Sequence, residues 1–198
     1  MQQLVLATGN SGKLAEMQVL LSPLGFEVLP QSELGVDDID EPGPGFIENA
    51  LIKARHASRV TGLPAIADDS GLVVPALAGA PGVYSARYAG KDANAANNNL
   101  KLLTDMAGLK GADRKAYFIC QAVAVVSADD PLPLLALGRW HGTILESPRG
   151  VEGFGYDPLF TPGTEGCSAA ELPAAVKNKL SHRGLAMQQL IEQIRTFW

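Results

Sequence analysis

The stretch LVLATGNSGKLAEMQVLL, residues 4–21, has the pattern of a buried strand, a glycine-rich turn and a helix. Residues 4–7 are apolar, and from residue 13 onward the apolar positions recur at helical spacing. Such a turn presents the free N–H groups of a helix start, together with Lys13, to a phosphate group. It is not a P-loop, because Ala7 and Leu14 stand where that motif requires glycine and a hydroxyl residue. Two interpretations therefore stay open, a phosphate site of another geometry and a plain strand–helix turn.

Apolar periodicity along the rest of the chain predicts a mixture of strands and helices. Further strands are predicted at 26–29, 64–67, 115–127, 132–137, 139–145 and 158–161, and helices at 46–62, within 97–108 and at 182–198. Helices alternate with strands early in the chain, whereas hairpins dominate later. This order predicts an α/β or α+β protein with a mixed sheet, and no clean boundary divides residues 1–198, so we expect a single domain.

Composition excludes several classes of protein. The 198 residues carry a net charge of −5, which argues against a general nucleic-acid surface. No apolar run approaches the roughly 18 residues of a membrane span, and the N-terminal residues do not resemble a signal peptide. Cys120 and Cys167 lack metal-ligand or disulfide-framework spacing. We expect a cytoplasmic protein with no nucleic-acid or membrane partner.

Acidic residues follow the strand predicted at 64–67. Asp68 and Asp69, with Glu41 and Glu48 upstream, could bind a hard cation, since Mg²⁺ is usually held by one or two carboxylates, substrate phosphates and water. Adjacent strand residues point to opposite faces, so Asp68 and Asp69 are not expected to enter one pocket together. A turn capped by either aspartate is the alternative.

A helical face in the 46–62 segment also carries polar side chains. Asn49, Lys53 and His56 fall within about 60° of one another on a helix and could face a ligand. Taken alone, the segment is better explained by a solvated face whose basic residues complement the helix C-terminus.

Two further clusters stand at predicted element boundaries. Residues 153–158, GFGYDP, place aromatic rings between glycines, where a flat base could stack, although a tight turn with core aromatics explains them equally. Lys177 and the SHRG segment, residues 181–184, bring cations to the start of the last helix, where they oppose its dipole. That position favours ligand contacts, the alternative being a Ser181 cap with solvated neighbours.

Six ordered motifs together resemble the inosine triphosphatase family of nucleoside-triphosphate pyrophosphatases. They are TGNSGK, FIENALIKA, ADDSGL, GAPGVYSARYAG, GFGYDPLF and SHRG, spread from residue 4 to about residue 190. The resemblance implies a two-lobed α/β fold, in which helices flank an elongated mixed β-sheet and an active-site cleft lies between the lobes. It also implies a homodimer and Mg²⁺-dependent hydrolysis of dITP, ITP or XTP to a nucleoside monophosphate and pyrophosphate.

The resemblance also assigns roles to residues. Asp69 is the expected proton acceptor, and Asp69 and Glu41 are the expected metal-site residues. The expected substrate contacts are Thr8, Gly9, Asn10, Ser11, Gly12, Lys13, Ser70, Phe154, Gly155, Tyr156, Asp157, Lys177, His182 and Arg183. Two alternatives remain, a related pyrophosphatase for pyrimidine or modified nucleotides and a non-catalytic nucleotide-binding module.

Overall fold

A computed structural model describes residues 3–163 and 166–198. Within this part of the chain, six strands form one sheet in the order β2-β1-β3-β4-β5-β6. The strands are β1 (Gln3–Leu6), β2 (Glu27–Pro30), β3 (Ala65–Val73), β4 (Lys115–Val125), β5 (Leu134–Ile144) and β6 (Phe160–Pro162). The helices are α1 (Ser11–Leu21), α2 (Phe46–Thr61), α3 (Ala95–Asp105), α4 (Ala174–Leu180) and α5 (His182–Phe197), with short 3₁₀ turns between elements.

The sheet is mixed. Strand β1 pairs in parallel with β2 and with β3, whereas β5 and β6 are antiparallel. The predicted α/β class with a mixed sheet flanked by helices is therefore confirmed. No helix in residues 3–163 and 166–198 is long and apolar enough to cross a membrane.

The chain divides into two compact units. Unit 1 comprises Met1–Asp69, Cys120–Gly138 and His182–Trp198, and unit 2 comprises Ser70–Ile119 and Arg139–Ser181. The cleft between lobes and the single domain spanning residues 1–198 stay predictions.

Unit 1 has two apolar layers, because side chains of a strand alternate between its faces. On β3, Ile66 belongs to the layer packed with α1 and α5, whereas Ala65 and Ala67 belong to the layer packed with α2. Small residues at Ala50, Ala54 and Ala57 allow α2 to approach the sheet closely. The next two residues of β3, Asp68 and Asp69, also lie on opposite faces of the strand.

Unit 2 has its own core, which is rich in aromatic residues. Phe118, Trp140 and Phe160 pack ring against ring, and Tyr156 and residues of α3 join the same cluster. Buried Arg114 donates hydrogen bonds to the carbonyl oxygens of Ile144 and Leu145, both at 2.7 Å.

Two strand predictions were wrong in detail, and helix α4 was not predicted. The strand predicted at 64–67 continues through Asp68 and Asp69 to Val73, and each of these two carboxylates has a lysine partner in the structure. The pieces predicted at 132–137 and 139–145 are one strand, β5, in which Gly138 is a point of close packing and not a break. Helix α4, only seven residues long, has too short an apolar period to be recognised.

Candidate functional site

The loop between β1 and α1 is folded by its own polar side chains. Asn10 caps α1, because its Oδ1 accepts a hydrogen bond from the Lys13 N–H at 3.1 Å. Thr8 Oγ1 accepts from the Asn10 N–H at 3.2 Å. A Cβ atom at Gly9 would lie 2.9 Å from both carboxylate oxygens of Asp38, so glycine permits this approach. The other two residues of the predicted phosphate-binding stretch, Ser11 and Gly12, begin α1.

Asp68 lies on the α1/α5 face of β3, close to two positively charged side chains. Its side chain is fully buried, and its Oδ2 atom lies 3.1 Å from Lys13 Nζ and 3.5 Å from Arg183 Nη2. The Cys120 thiol donates to the same oxygen at 3.7 Å. Arg183 is buried as well and also pairs with Glu16. Burial alone would lower the guanidinium pKa, but the charges of Asp68 and its neighbours outweigh burial and raise it.

Asp69 lies on the opposite, α2 face of β3. The Asn49 Nδ2 group donates a hydrogen bond to Asp69 Oδ2 at 3.2 Å, and Lys53 Nζ lies 3.8 Å from Asp69 Oδ1. Lys53 Nζ also donates to Glu41 Oε2 at 3.0 Å. Burial raises the pKa of Asp69, and nearby Glu41 adds to the rise, whereas Lys53, Lys13 and Asn49 oppose it. Asp69 is thus a buried carboxyl that takes up a proton more readily than an ordinary aspartate.

The sequence raised Asn49 and Lys53 as residues that could face a ligand but favoured a solvated face, and that interpretation is wrong for both. Asn49 is buried, and Lys53 is largely covered between Glu41 and Asp69. Their spacing of four residues on α2 was the available signal, since it places both on one helical face. The missing information was the position of β3 beneath that face.

Glu41 and Asp69, the two carboxylates that the family resemblance assigns to a metal, lie on either side of one lysine. Both carboxylates lie within 4 Å of one ammonium group, that of Lys53, so one cation already lies close to both. Mg²⁺ is commonly bound by one or two carboxylates with phosphate oxygens and water. Residues 3–163 and 166–198 contain no cluster of three or more His, Cys, Asp or Glu side chains arranged around one point. Two carboxylates would fit Mg²⁺ there only if substrate phosphates and water supplied the other ligands.

In unit 2 the structure brings together Phe154, Asp157 and Lys177. Asp157 is buried, and its Oδ2 accepts hydrogen bonds from Lys177 Nζ at 2.6 Å and from the Phe154 N–H at 2.8 Å. Lys177 Nζ also lies 4.7 Å from the centre of the Phe154 ring. One carboxylate therefore fixes both a lysine and an aromatic residue.

Gly155 and Tyr156, which lie between Phe154 and Asp157, form hydrogen bonds with other residues of unit 2. Tyr156 is buried in the aromatic core, and its hydroxyl donates to the Ser85 carbonyl at 2.8 Å, so its side chain has a packing role. Gly155 adopts a positive φ of 62°, and its carbonyl accepts from Asn99 Nδ2 at 3.0 Å. Ser70 follows Asp69 directly on β3 and is the first residue of unit 2.

The start of α5 is fixed by close contact with β5. A Cβ atom at Gly138 would collide with the His182 carbonyl oxygen and would lie 2.8 Å from the Ala186 nitrogen. His182 and Arg183, the first two residues of α5, are both buried. Both residues therefore lie at the helix N-terminus, as predicted, where the dipole disfavours the positive charge of Arg183.

Comparisons with known proteins cover nearly the whole chain. The profile of the Ham1 family matches residues 4–193. A dITP/XTP pyrophosphatase of Aromatoleum aromaticum is 57% identical over 98% of this chain and 97% of its own. A dITP/XTP pyrophosphatase of Ralstonia nicotianae is 54% identical over 100% of this chain and 98% of its own.

Solved structures agree with the sequence comparisons. A HAM1 protein from Coxiella burnetii superposes with a TM-score of 0.91 at 49% identity and covers 99% of this chain and 100% of its own. The Ham1 protein of Staphylococcus aureus gives a TM-score of 0.86 at 35% identity, with 98% of this chain and 99% of its own covered. The resemblance inferred from the six motifs is confirmed, and the chain belongs to the Ham1 family.

Proposed function

We propose that this protein hydrolyses the non-standard purine nucleotides dITP, ITP and XTP to nucleoside monophosphates and pyrophosphate. The observation that carries the proposal is the 57% identity, over 98% of this chain, with a dITP/XTP pyrophosphatase. The geometry around Asp69 supports it, because a buried carboxylate flanked by lysines suits water attack on a phosphate anhydride better than simple nucleotide binding.

Asp69 is the proposed general base. The Asn49 hydrogen bond fixes its orientation, and burial raises its pKa, which brings it closer to that of a useful proton acceptor at neutral pH. The water that it deprotonates attacks the α-phosphorus, so no serine or cysteine nucleophile is needed. Lys53 stabilises the negative charge shared by Asp69 and Glu41 before the substrate arrives.

Phosphate binding is assigned to the β1–α1 loop, residues 8–13, and to Lys177. The N–H groups at the start of α1 and the Lys13 ammonium offer positive charge to the triphosphate. Glu41 and Asp69 would hold Mg²⁺, which would supply charge neutralisation at the phosphate oxygens. Pre-organised cations of this kind stabilise charge that develops on the leaving pyrophosphate.

Base recognition is assigned to the α5 start and to the 154–157 segment. Hypoxanthine and xanthine present an acceptor oxygen at position 6, where adenine presents a donor amino group. Donors from His182 and Arg183 suit the 6-oxo group and leave adenine mismatched, and a mismatch of buried hydrogen bonds gives strong discrimination. Phe154 offers a ring face for stacking, and Ser70 and Asp157 are the remaining polar contacts proposed for the substrate.

A nucleotide panel with product analysis tests the proposal. The protein is incubated with Mg²⁺ and ITP, XTP, dITP, ATP, GTP, dTTP or UTP, and pyrophosphate and orthophosphate are measured separately. We expect pyrophosphate from ITP, XTP and dITP, and none from any of these with Asp69→Asn purified in parallel. Orthophosphate as the first product, or a preference for ATP or a pyrimidine, would contradict the proposal.

A homodimer and a cytoplasmic location are also proposed, on the family resemblance. Light scattering during gel filtration measures the first, with a mass near twice that of the 198-residue chain expected. Fractionation of cells that express the protein measures the second.

A further inference from the structure

Asp68 has no assigned role in the proposed reaction, although it contacts residues assigned to two different ends of the substrate. Lys13, at 3.1 Å, is assigned to the triphosphate, and Arg183, at 3.5 Å, is assigned to the base. Both distances are measured to the same oxygen atom, Oδ2. The carboxylate is fully buried, so solvent screens these attractions little.

Each cation depends on this carboxylate for its position. The Lys13 side chain is only 14% exposed and that of Arg183 only 2%, and a buried cation needs a compensating charge to stay ionised in place. Arg183 has a second acidic partner, Glu16, whereas Asp68 is the acidic group that Lys13 and Arg183 share. Cys120 donates to Asp68 from the neighbouring strand and restricts the carboxylate further.

We propose that Asp68 is a positioning residue that fixes the phosphate-binding lysine and the base-reading arginine at once. It touches neither the reacting phosphorus nor the water, since it faces α1 and α5 while Asp69 faces α2. Loss of its charge therefore frees both cations without removing either. The inference rests on the proposed function for the assignment of the two ends.

The test compares Asp68→Asn with wild type in two independent measurements. Calorimetry with inorganic pyrophosphate and Mg²⁺ reports on the phosphate end and needs no turnover. The ratio of kcat/KM for dITP to that for dATP reports on the base end, and it does not depend on the fraction of active protein. We expect both the pyrophosphate affinity and the ratio to fall about tenfold, because the negative charge that holds Lys13 at one end and Arg183 at the other is lost.

Two variants serve as comparisons. Lys13→Ala is expected to lower the pyrophosphate affinity and to leave the dITP to dATP ratio unchanged. Asp130→Asn removes another buried carboxylate of unit 1, one whose oxygens accept from the backbone N–H groups of Val126 and Leu132. It is expected to lower the melting temperature and to change neither ligand measurement.

Several outcomes overturn the inference. Unchanged values in Asp68→Asn would do so, as would tighter pyrophosphate binding, which is the result expected if Asp68 were only a repulsive charge. A fall in one measurement alone would contradict a shared role. If wild type fails to hydrolyse dITP, the proposed function fails, while pyrophosphate binding still tests the contact with Lys13.

A measurement on wild type covers the case in which Asp68→Asn does not fold. The carboxyl ¹³C resonance of Asp68 is expected to shift on titration with pyrophosphate and again with deoxyinosine, whereas that of Asp130 stays fixed. An Asp68 resonance that responds to neither or to only one ligand would overturn the proposal.

Discussion

Asn49 connects Asp69, the proposed general base, to the loop before α2. Its Nδ2 donates to Asp69 at 3.2 Å, and its Oδ1 accepts from the Gly43 N–H at 2.8 Å. The amide therefore satisfies an acceptor with its nitrogen and a donor with its oxygen. Removal of either half of the amide should have a distinct effect.

Asn49→Asp keeps the acceptor for Gly43 and replaces the donor to Asp69 with a second carboxylate. A like charge at this distance raises the pKa of the pair. We expect the acidic limb of the pH dependence of kcat/KM to move upward, with a loss of roughly tenfold near pH 6. Initial rates with dITP from pH 4.5 to 9 measure it.

Asn98→Asp is the matched control for this substitution. Asn98 is also buried, and its Oδ1 accepts from the Ala89 N–H, but its Nδ2 donates only to the backbone carbonyls of Ser85 and Ala86 among the contacts described. The control should lose stability and keep the wild-type pH profile. An unmoved acidic limb in Asn49→Asp would show that Asp69 is not the titrating base.

Asp69→Asn should abolish turnover and raise stability at neutral pH. Because the folded-state pKa of Asp69 lies above the ordinary value of 3.8, its contribution to folding is fully present below that value. The contribution is lost as the pH rises through the folded pKa, so the ionised carboxylate is a cost at pH 7. Thermal melts should show a higher melting temperature for the variant at pH 7 and none of that gain near pH 3. A lower melting temperature at pH 7 would contradict the raised pKa.

Phe154→Leu should weaken substrate binding more than chemistry. The ring is held by contact with Lys177 and by the backbone hydrogen bond to Asp157, and stacking on a base contributes about 1–3 kcal/mol. We expect KM for dITP to rise roughly tenfold with kcat within about twofold of wild type. Phe26→Leu, which removes a ring packed edge-on against Trp198, is the control and should leave KM unchanged. An unaltered KM in Phe154→Leu would mean that the segment is a structural turn alone.

Gly138→Ala should destabilise the protein by about 1–3 kcal/mol, because the added methyl group meets the backbone of the first turn of α5 and not a movable side chain. Gly163→Ala is the control, since its Cβ would meet only the His141 carbonyl oxygen, at 4.0 Å. Urea unfolding of both variants measures the difference. Equal stabilities would show that α5 can move away from β5 without cost.

Much of this fold could be predicted from local pattern. The β1–α1 turn and helix α2 follow from apolar periodicity and capping residues, and α2 begins at Phe46 as predicted. The alternation rule also separated Asp68 from Asp69 correctly. The extent of β3 and the continuity of β5 could not be predicted, because they depend on contacts made by residues distant in sequence.

Some residues of the candidate site could likewise be predicted from the sequence, and others could not. Residue types and motifs pointed to Lys13, Asp69 and Arg183, because the type of side chain and its place in a motif are enough to suggest a role. Asn49 and Lys53 were considered and set aside, and Asp68 received no role, because their roles arise from pairing across elements, at sequence separations of 12 to 115 residues. A helical face next to an acidic strand end is the pattern that would have found two of them.

The alternation of β3 has a consequence for how this protein can change over time. Asp68 and Asp69 are neighbours in the chain, yet their partners come from different helices on different sides of one strand. Under the proposed function, substitutions in α5 would therefore change which base is accepted while Asp69 and its α2 partners stay as they are. A deletion or insertion of one residue in β3 has no such freedom, since it would exchange the two carboxylates and disable both sides in a single step.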